Sequence, residues 1–362
     1  MITFFGIVHA DGGCGTEALG AVELLRSRKV PVRMVVPPED PIINNGNAAA
    51  DYLRSIDVEL LQYEPGMFKD CPVLVSFAEG QRLFPLVKEN ADRPRYLVYS
   101  DCMHFASDDE IGWHKEGLID EFFFQTATLA DRLGPEIARR AQKSVPHRRG
   151  YRAFLNTRSA YFPLRFSTVR HETDFTVIKV GRDHGEKWHP DSWRMFCGIS
   201  APQKRTVRIE IVGWGPNSAN KVGDITDEKN KWFKEMNVVV HTHMDEAKML
   251  AEVYDRAHVM VHVCDYGYEE ALGRVFLEAF AAGVVVITDR RGGALELIRH
   301  GETGFLVDSP DEAAYYASHL AFNERMRRSI AAQAYAELIS TGRGNPDVCW
   351  PWWRDLIRKA SI

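Results

Sequence analysis

In the stretch EEALGRVFLEAFAAG, positions 269 to 283, two carboxylates, Glu270 and Glu278, have seven residues between them, Gly273 among these. Apolar runs flank the stretch, VMVHV before it and VVVIT after it. That pattern predicts a helix joining two buried strands and opening near Leu272. A helix start leaves its first N–H groups without intrahelical acceptors and carries partial positive charge, which suits a phosphate. Glu278, farther along, is placed to accept hydrogen bonds from a ribose diol rather than to touch the same phosphate. Glu270 precedes the helix, where a transferred sugar would lie. Taken alone, glutamates near a helix start are also what the helix dipole favours on an ordinary surface.

A second group is VGRDHGEKW, positions 180 to 188, in which Arg182 follows a strand and Lys187 comes five residues later. An Arg and a Lys at a strand end can neutralise a diphosphate, the Arg through its planar fork and the Lys as a point charge. A third is RGGALELIRHGETGFLVD, positions 291 to 308, whose Gly292–Gly293 pair lets backbone approach a ligand. Asp101 and His104, in YSDCMHF, follow an earlier apolar run and are candidates to face an acceptor, as are His9 and Asp11. No metal site is expected. Among the histidines at 241, 243, 258 and 262, His258 and His262 fall on one strand roughly 13 Å apart by strand rise, too far to share an ion.

These groups need elements to hold them. Strand-like runs alternate with helical patterns along the whole chain: ITFFGIVHA, VRMVVP, VLVSFA and RYLVYSD early, then FTVIKVG, TVRIEIVG, NVVVHT, VMVHVCD and VVVITD. Alternation of this kind predicts parallel sheets built from βαβ units, and unbroken Val/Ile runs suit strands covered on both faces. The chain of 362 residues exceeds one ordinary core, so two domains are expected. The expected division is 1–165 and 166–345, with a last helix at about 346–362 packing back on the first domain. In such sheets ligands bind beyond the carboxyl ends of the strands, and the three groups all follow strands.

Together the segments resemble the C-terminal half of the GT4 or glycosyl transferases group 1 family. The family pattern is roughly VGRxxxxKG, LxGxGP, then ExFGxxxxEAxAxGxPVVxxxxGGxxExxxxGxxGxLV. Here the chain reads VGRDHGEKW, IVGWGP with Gly213, and EALGRVFLEAFAAGVVVITDRRGGALELIRHGETGFLVD. The N-terminal HADGGCGTEALG is similar to the family's glycine-rich first loop. The resemblance implies an α/β chain of GT-B fold, two Rossmann-like doubly wound domains facing across a cleft. It implies a retaining glycosyltransferase that uses a nucleotide-diphosphate sugar, with a UDP-sugar the expected donor, and needs no metal or other cofactor. By the same resemblance Arg182 and Lys187 bind the diphosphate, and amides near Leu272, Gly273, Arg274 and Val275 hold phosphate oxygens. Glu278 takes the ribose, Glu270 the donor sugar, and Gly12 and Gly13 lie beneath the donor. The strand end from His241 to Met244 would meet the base, without a motif that selects one. Three positions depart from the pattern: Leu272 stands for an aromatic, Trp188 for a glycine and Val284 for a proline.

Composition fits this reading. Hydrophobic residues make up 45% and charged residues 26%, no apolar run reaches membrane-spanning length, and no basic leader opens the chain. Six scattered cysteines without CxxC spacing suit a reducing cytoplasm. Net charge is −5, but Arg139, Arg140, Lys143, Arg148, Arg149, Arg152, Arg158, Arg165 and Arg170 crowd one region. They read either as a solvated face with a linker or as a track for an anionic acceptor. The expected acceptor is a hydroxyl of a glycan or small molecule. Modified bases of a nucleic acid form the second reading, and a catalytically inactive binding protein the third.

Overall fold

The computed structural model describes residues 1–6, 13–40, 47–77, 79–101, 105–146, 154–170, 173–227, 230–232, 236–242 and 247–360, with backbone alone at 13, 14, 101, 247–249 and 360. The chain divides into two compact units, Met1–Tyr161 with Gly342–Ile362, and Phe162–Thr341.

In the first unit β1 (Ile2–Phe5), β2 (Val32–Val36), β3 (Glu59–Gln62), β4 (Leu74–Phe77), β5 (Leu97–Asp101) and β6 (Glu121–Phe124) form one sheet in the order β3-β2-β1-β4-β5-β6. Every pairing is parallel. Strands β1, β4 and β6 are buried at each residue, as expected where helices cover both faces. The tryptophan-rich tail forms the helix Pro346–Ala360, which packs on this sheet. Trp353 lies 5.9 Å from the Phe4 ring, Trp352 lies 4.1 Å from Phe123, and Lys359 donates to Glu121 at 2.9 Å.

The second unit repeats the plan. Its strands are β7 (Asp174–Val180), β8 (Thr206–Val212), β9 (Asn237–His241), β10 (Val259–His262), β11 (Val285–Asp289) and β12 (Phe305–Val307), ordered β12-β11-β10-β7-β8-β9 and parallel throughout. Counted from its own first strand, each unit has the order 3-2-1-4-5-6, the Rossmann arrangement. The runs VMV and VVIT are buried because they sit at the middle of this sheet. Between them runs the helix Arg274–Ala282, which starts two residues after Leu272 with Gly273 as its cap. Its alanines, Ala279, Ala281 and Ala282, are buried, so the helix sits close to the sheet.

Trp188 takes the place of the family's glycine because it fills a hole. It packs with Trp193 and Trp214 at 5.3 and 5.0 Å, and the buried Lys179 ammonium stands 4.9 Å over its ring. No helix among the described residues is long and apolar enough to cross a membrane. Cys71, Cys197, Cys264 and Cys349 are free thiols.

Candidate functional site

Three loops leave the carboxyl ends of β7, β10 and β11 and meet at Glu270. Lys187, after β7, donates to Glu270 Oε1 at 2.5 Å. His262, the last residue of β10, places Nε2 3.1 Å from the same oxygen. Gly293, after β11, donates its amide to the Glu270 carbonyl at 2.8 Å. The Asp265 amide also bonds the Glu186 carbonyl at 2.9 Å, which laces the first loop to the second. Glu270 Oε2 has no hydrogen bond among the described residues and is the oxygen left for a ligand hydroxyl.

Charge is settled at this point by the pairing. Burial works against the Glu270 carboxylate, but the Lys187 charge and the His262 hydrogen bond outweigh it and hold the group well below the usual carboxylate range. Burial likewise opposes the Lys187 ammonium, and the Glu270 charge reverses that and raises its pKa. Burial, then the nearby Lys179 charge, push His262 down to about 4, so the ring is neutral at pH 7. Burial pushes the Cys264 thiol up to about 12. His262, Cys264 and Glu270 bring three potential ligand atoms within 4.8 Å of one another. The Lys187 ammonium already occupies the Glu270 oxygen there, and Lys179 adds a second buried cation.

The neutral His262 has a consequence for stability. Its folded pKa lies below the unfolded value of 6.5, so below pH 6.5 the unfolded chain takes up a proton the native site refuses. The cost is absent above pH 6.5, grows by up to about 1.4 kcal/mol per pH unit, and levels off below about 4. Buried carboxyls with raised values, Glu278 and Asp289, act in the opposite sense. The test is therefore a difference: denaturant unfolding of wild type and His262→Gln from pH 7 to 4. Wild type should lose stability relative to the variant as pH falls; a constant gap would refute the neutral buried ring.

Gly273 opens the helix Arg274–Ala282 with φ at +71°, and a Cβ there would sit 2.2 Å from the Phe276 ring. Only glycine fits both constraints. The first amides of the helix, at Arg274 and Val275, precede any intrahelical acceptor, and Leu272 is buried just ahead of them. Arg182 follows β7 and is exposed, with no hydrogen bond or ion pair among the described residues. Its Cα lies 3.4 Å from where a Gly213 Cβ would project; Gly213, with φ at +81°, excludes any side chain because that atom would fall 1.7 Å from the Gly181 carbonyl oxygen.

Glu278 lies deeper than a surface carboxylate, only 4% exposed. Tyr254 donates to its Oε2 at 2.8 Å and Arg274 lies 3.7 Å from Oε1. Burial raises its pKa, and Arg274 and Tyr254 oppose the rise. His241 ends β9, its carbonyl accepting the Gly213 amide at 2.9 Å and its Nε2 lying 3.5 Å from Glu210. Glu210 is fully buried and also accepts from Arg208 and Arg256 at 2.8 and 3.1 Å.

In the first unit Gly13 begins the helix Gly13–Ser27 and Asp101 ends β5, both described by backbone alone. Gly12, His104 and Met244 lie outside the described residues, as do His9, Asp11 and His243. Of the basic cluster, Arg148, Arg149 and Arg152 lie outside the described residues, and two of the described members are engaged within the protein. Arg170 is buried in the second unit, donating to the carbonyls of Ala257 and Ala282 at 2.5 and 2.6 Å. Arg140 pairs with Asp108 and Glu136. Long-range packing had claimed both side chains, which sequence proximity cannot reveal.

Sequence reasoning weighed His262 only as a metal ligand, and it missed Lys179 and Arg291. Arg291 donates to the carbonyls of Cys264 and Tyr266 at 3.0 and 2.7 Å and pairs with Asp289 at 3.2 Å, fixing the loop that leads to Glu270. Its neighbour Gly292 carried the only signal there.

Comparison with known proteins fits this arrangement. The family described as glycosyl transferases group 1 matches residues 162–337. Residues 162–337 belong to the glycosyl transferases group 1 family. A GDP-mannose-dependent alpha-(1-6)-phosphatidylinositol monomannoside mannosyltransferase of Mycobacterium tuberculosis is 59% identical over 85 residues, 23% of this chain and 20% of that protein. A GDP-Man:Man(3)GlcNAc(2)-PP-Dol alpha-1,2-mannosyltransferase of Dictyostelium discoideum is 27% identical over 182 residues, 47% of this chain and 33% of the relative. The matches thus span a third or less of these glycosyltransferases' own lengths. Among solved structures, Anabaena HepE in complex with UDP and glucose has a TM-score of 0.69 at 13% identity, over 99% of this chain and all of its own. Sucrose-phosphate synthase from Thermosynechococcus elongatus has a TM-score of 0.69 at 15% identity, over 99% of each chain. At such identities the likeness is one of fold, and the fold is GT-B, with two Rossmann-like units in one chain.

Proposed function

We propose that the protein is a retaining glycosyltransferase that moves a sugar from a nucleotide-diphosphate sugar to a hydroxyl of a glycan or small molecule, without a metal. The observation that carries the reading is the meeting of three strand-end loops at Glu270, with Lys187 on one of its oxygens and the other oxygen open. The unpaired Arg182 guanidinium, Lys187 and the amides from Gly273 to Val275 form the cationic side that a diphosphate would occupy. In the transfer the bond from the anomeric carbon to the phosphate oxygen breaks as the acceptor oxygen bonds the same face. The acceptor proton passes to the departing phosphate. Negative charge grows on the diphosphate in that step, and preorganised cations and amides stabilise it without reorganisation. Lys187 would exchange Glu270 for phosphate, while His262 stays on Glu270 and keeps its open oxygen aimed at the sugar. A ribose would reach Glu278 by displacing Arg274, which is only loosely paired at 3.7 Å.

For the donor we favour a UDP-sugar, supported by the HepE structure with UDP; the GDP-mannose dependence of the mycobacterial relative makes guanine the competitor. The free thiols suit a reducing cytoplasm. With Arg170 and Arg140 engaged within the protein, fewer cations of the cluster are left for a nucleic-acid acceptor, which stays the second reading.

Thermal shift with UDP, GDP, ADP and TDP tests the donor. UDP at a hundredfold excess over its Kd should stabilise the fold by about 2.7 kcal/mol. A shift with GDP alone would replace uracil by guanine, and no shift with any of them would reject the nucleotide site. Sugar transfer or donor hydrolysis should continue in EDTA; loss reversed only by a divalent ion would reject the metal-free mechanism.

A further inference from the structure

Two donors buried at the amino end of β10 have no acceptor among the described residues. His258, just before the strand and 1% exposed, accepts the Thr176 amide on Nδ1 at 3.1 Å. That bond fixes the tautomer, so the proton is on Nε2. Burial, and then the Arg327 charge, push His258 down to about 3, so the ring carries that single proton at pH 7. Nε2 is enclosed and has no partner. Arg327 is fully buried. Its Nε and Nη2 hold the Glu324 carboxylate at 2.9 and 2.6 Å, and Nη2 also reaches the Thr168 carbonyl at 2.6 Å. Its Nη1 is enclosed and without a partner too.

Arg170 ties the two together. Its Nε donates to Ala257, the neighbour of His258, at 2.5 Å, and its Nη1 donates to Ser167, the neighbour of Thr168, at 2.6 Å. The region is rich in donors and poor in acceptors. The carbonyls of Ser167, Thr168, Ala257 and Ala282 already accept from guanidinium groups. Glu324 is shared among Arg327, Arg328 and Arg205, the last at 3.8 Å. A water here would need acceptors for its own two hydrogens, whereas an anion needs donors alone, and unpaired buried donors are costly.

We propose that a small monovalent anion of chloride size binds between Arg327 Nη1 and His258 Nε2. The site lies at the opposite end of the strands from Glu270, so it stabilises the second unit without touching the donor. It is independent of the proposed transfer reaction.

The test is thermal unfolding of the full chain at pH 7.5 in sodium chloride against sodium gluconate at equal ionic strength. Tm should rise with chloride, approaching a logarithmic dependence above Kd and reaching about 4 °C at a tenfold excess over Kd. Bromide should substitute, and a crystal grown in bromide should show an anomalous peak in contact with both nitrogens. His258→Asn keeps an acceptor for the Thr176 amide, has no N–H at the position of Nε2 because its side chain is shorter, and should lose the chloride response while remaining folded. Equal Tm in the two salts, a response that survives in His258→Asn, or a water in place of bromide would overturn the proposal.

Discussion

Replacing Lys187 by Met should lower kcat/KM for the nucleotide-sugar by about a thousandfold, the upper range for removing one preorganised donor at a developing anion. Two losses combine. The departing diphosphate loses a cation, and Glu270 loses the partner that stands 2.5 Å from Oε1. With only the neutral His262 left, burial dominates and the Glu270 pKa rises. The acid limb of the pH–rate profile should therefore move toward neutrality in the variant, a shift that a general loss of folding would not produce. Lys187→Arg should recover part of the rate, because charge returns but the geometry of a point ammonium does not. Lys221→Met, which breaks a nearby pair with Asp265, is the control and should stay within a few-fold of wild type. Steady-state kinetics on the three variants decide the matter: a fall of less than tenfold for Lys187→Met would remove this residue from the mechanism.

The strands and the helix Arg274–Ala282 were legible because their signals are local. Val/Ile runs mark doubly covered strands, and a glycine before an alanine-rich amphipathic stretch marks the start of a close-packed helix. The cationic loop was legible as a pattern of residue types. Its partner was not: Lys187 and Glu270 are 83 residues apart, and nothing in either neighbourhood states that one oxygen takes both Lys187 and His262. Periodicity treats His262 as one more residue of a buried strand, since only the fold brings the strand end beneath Glu270. Trp188 shows the same limit. A missing glycine can be read from the sequence, but the hole shaped by Trp193 and Trp214 cannot. Arg170 was grouped with a basic run because its neighbours in sequence are basic, whereas the carbonyls it serves lie 87 and 112 residues away.

That position of Arg170 sets the largest effect expected on stability. The residue donates to Ala257, just past the helix Ala247–Arg256, and to Ala282, the last residue of the helix Arg274–Ala282. Carbonyls at helix ends lack intrahelical donors and carry partial negative charge, so one guanidinium satisfies and neutralises two ends at once. Burial lowers the Arg170 pKa to about 10, still far above neutrality, so the charge persists. Arg170→Met should destabilise the second unit by about 3 kcal/mol or more, taking each charged hydrogen bond at no less than about 1.5 kcal/mol and leaving buried carbonyls unpaired. Arg170→Lys should recover less than half, because one ammonium cannot reach carbonyls that diverge. Denaturant unfolding of the full chain, with the transition of the second unit resolved from the first, measures both. The helix Arg274–Ala282 runs from the proposed donor site at Gly273 to the Arg170 bond at Ala282, so its far end is what loosens. Nucleotide affinity of the folded fraction at low temperature should stay within a few-fold, while the temperature at which binding is lost should fall with Tm. A loss of under 1 kcal/mol would mean that water serves these helix ends as well as the guanidinium does, and the capping role would fail.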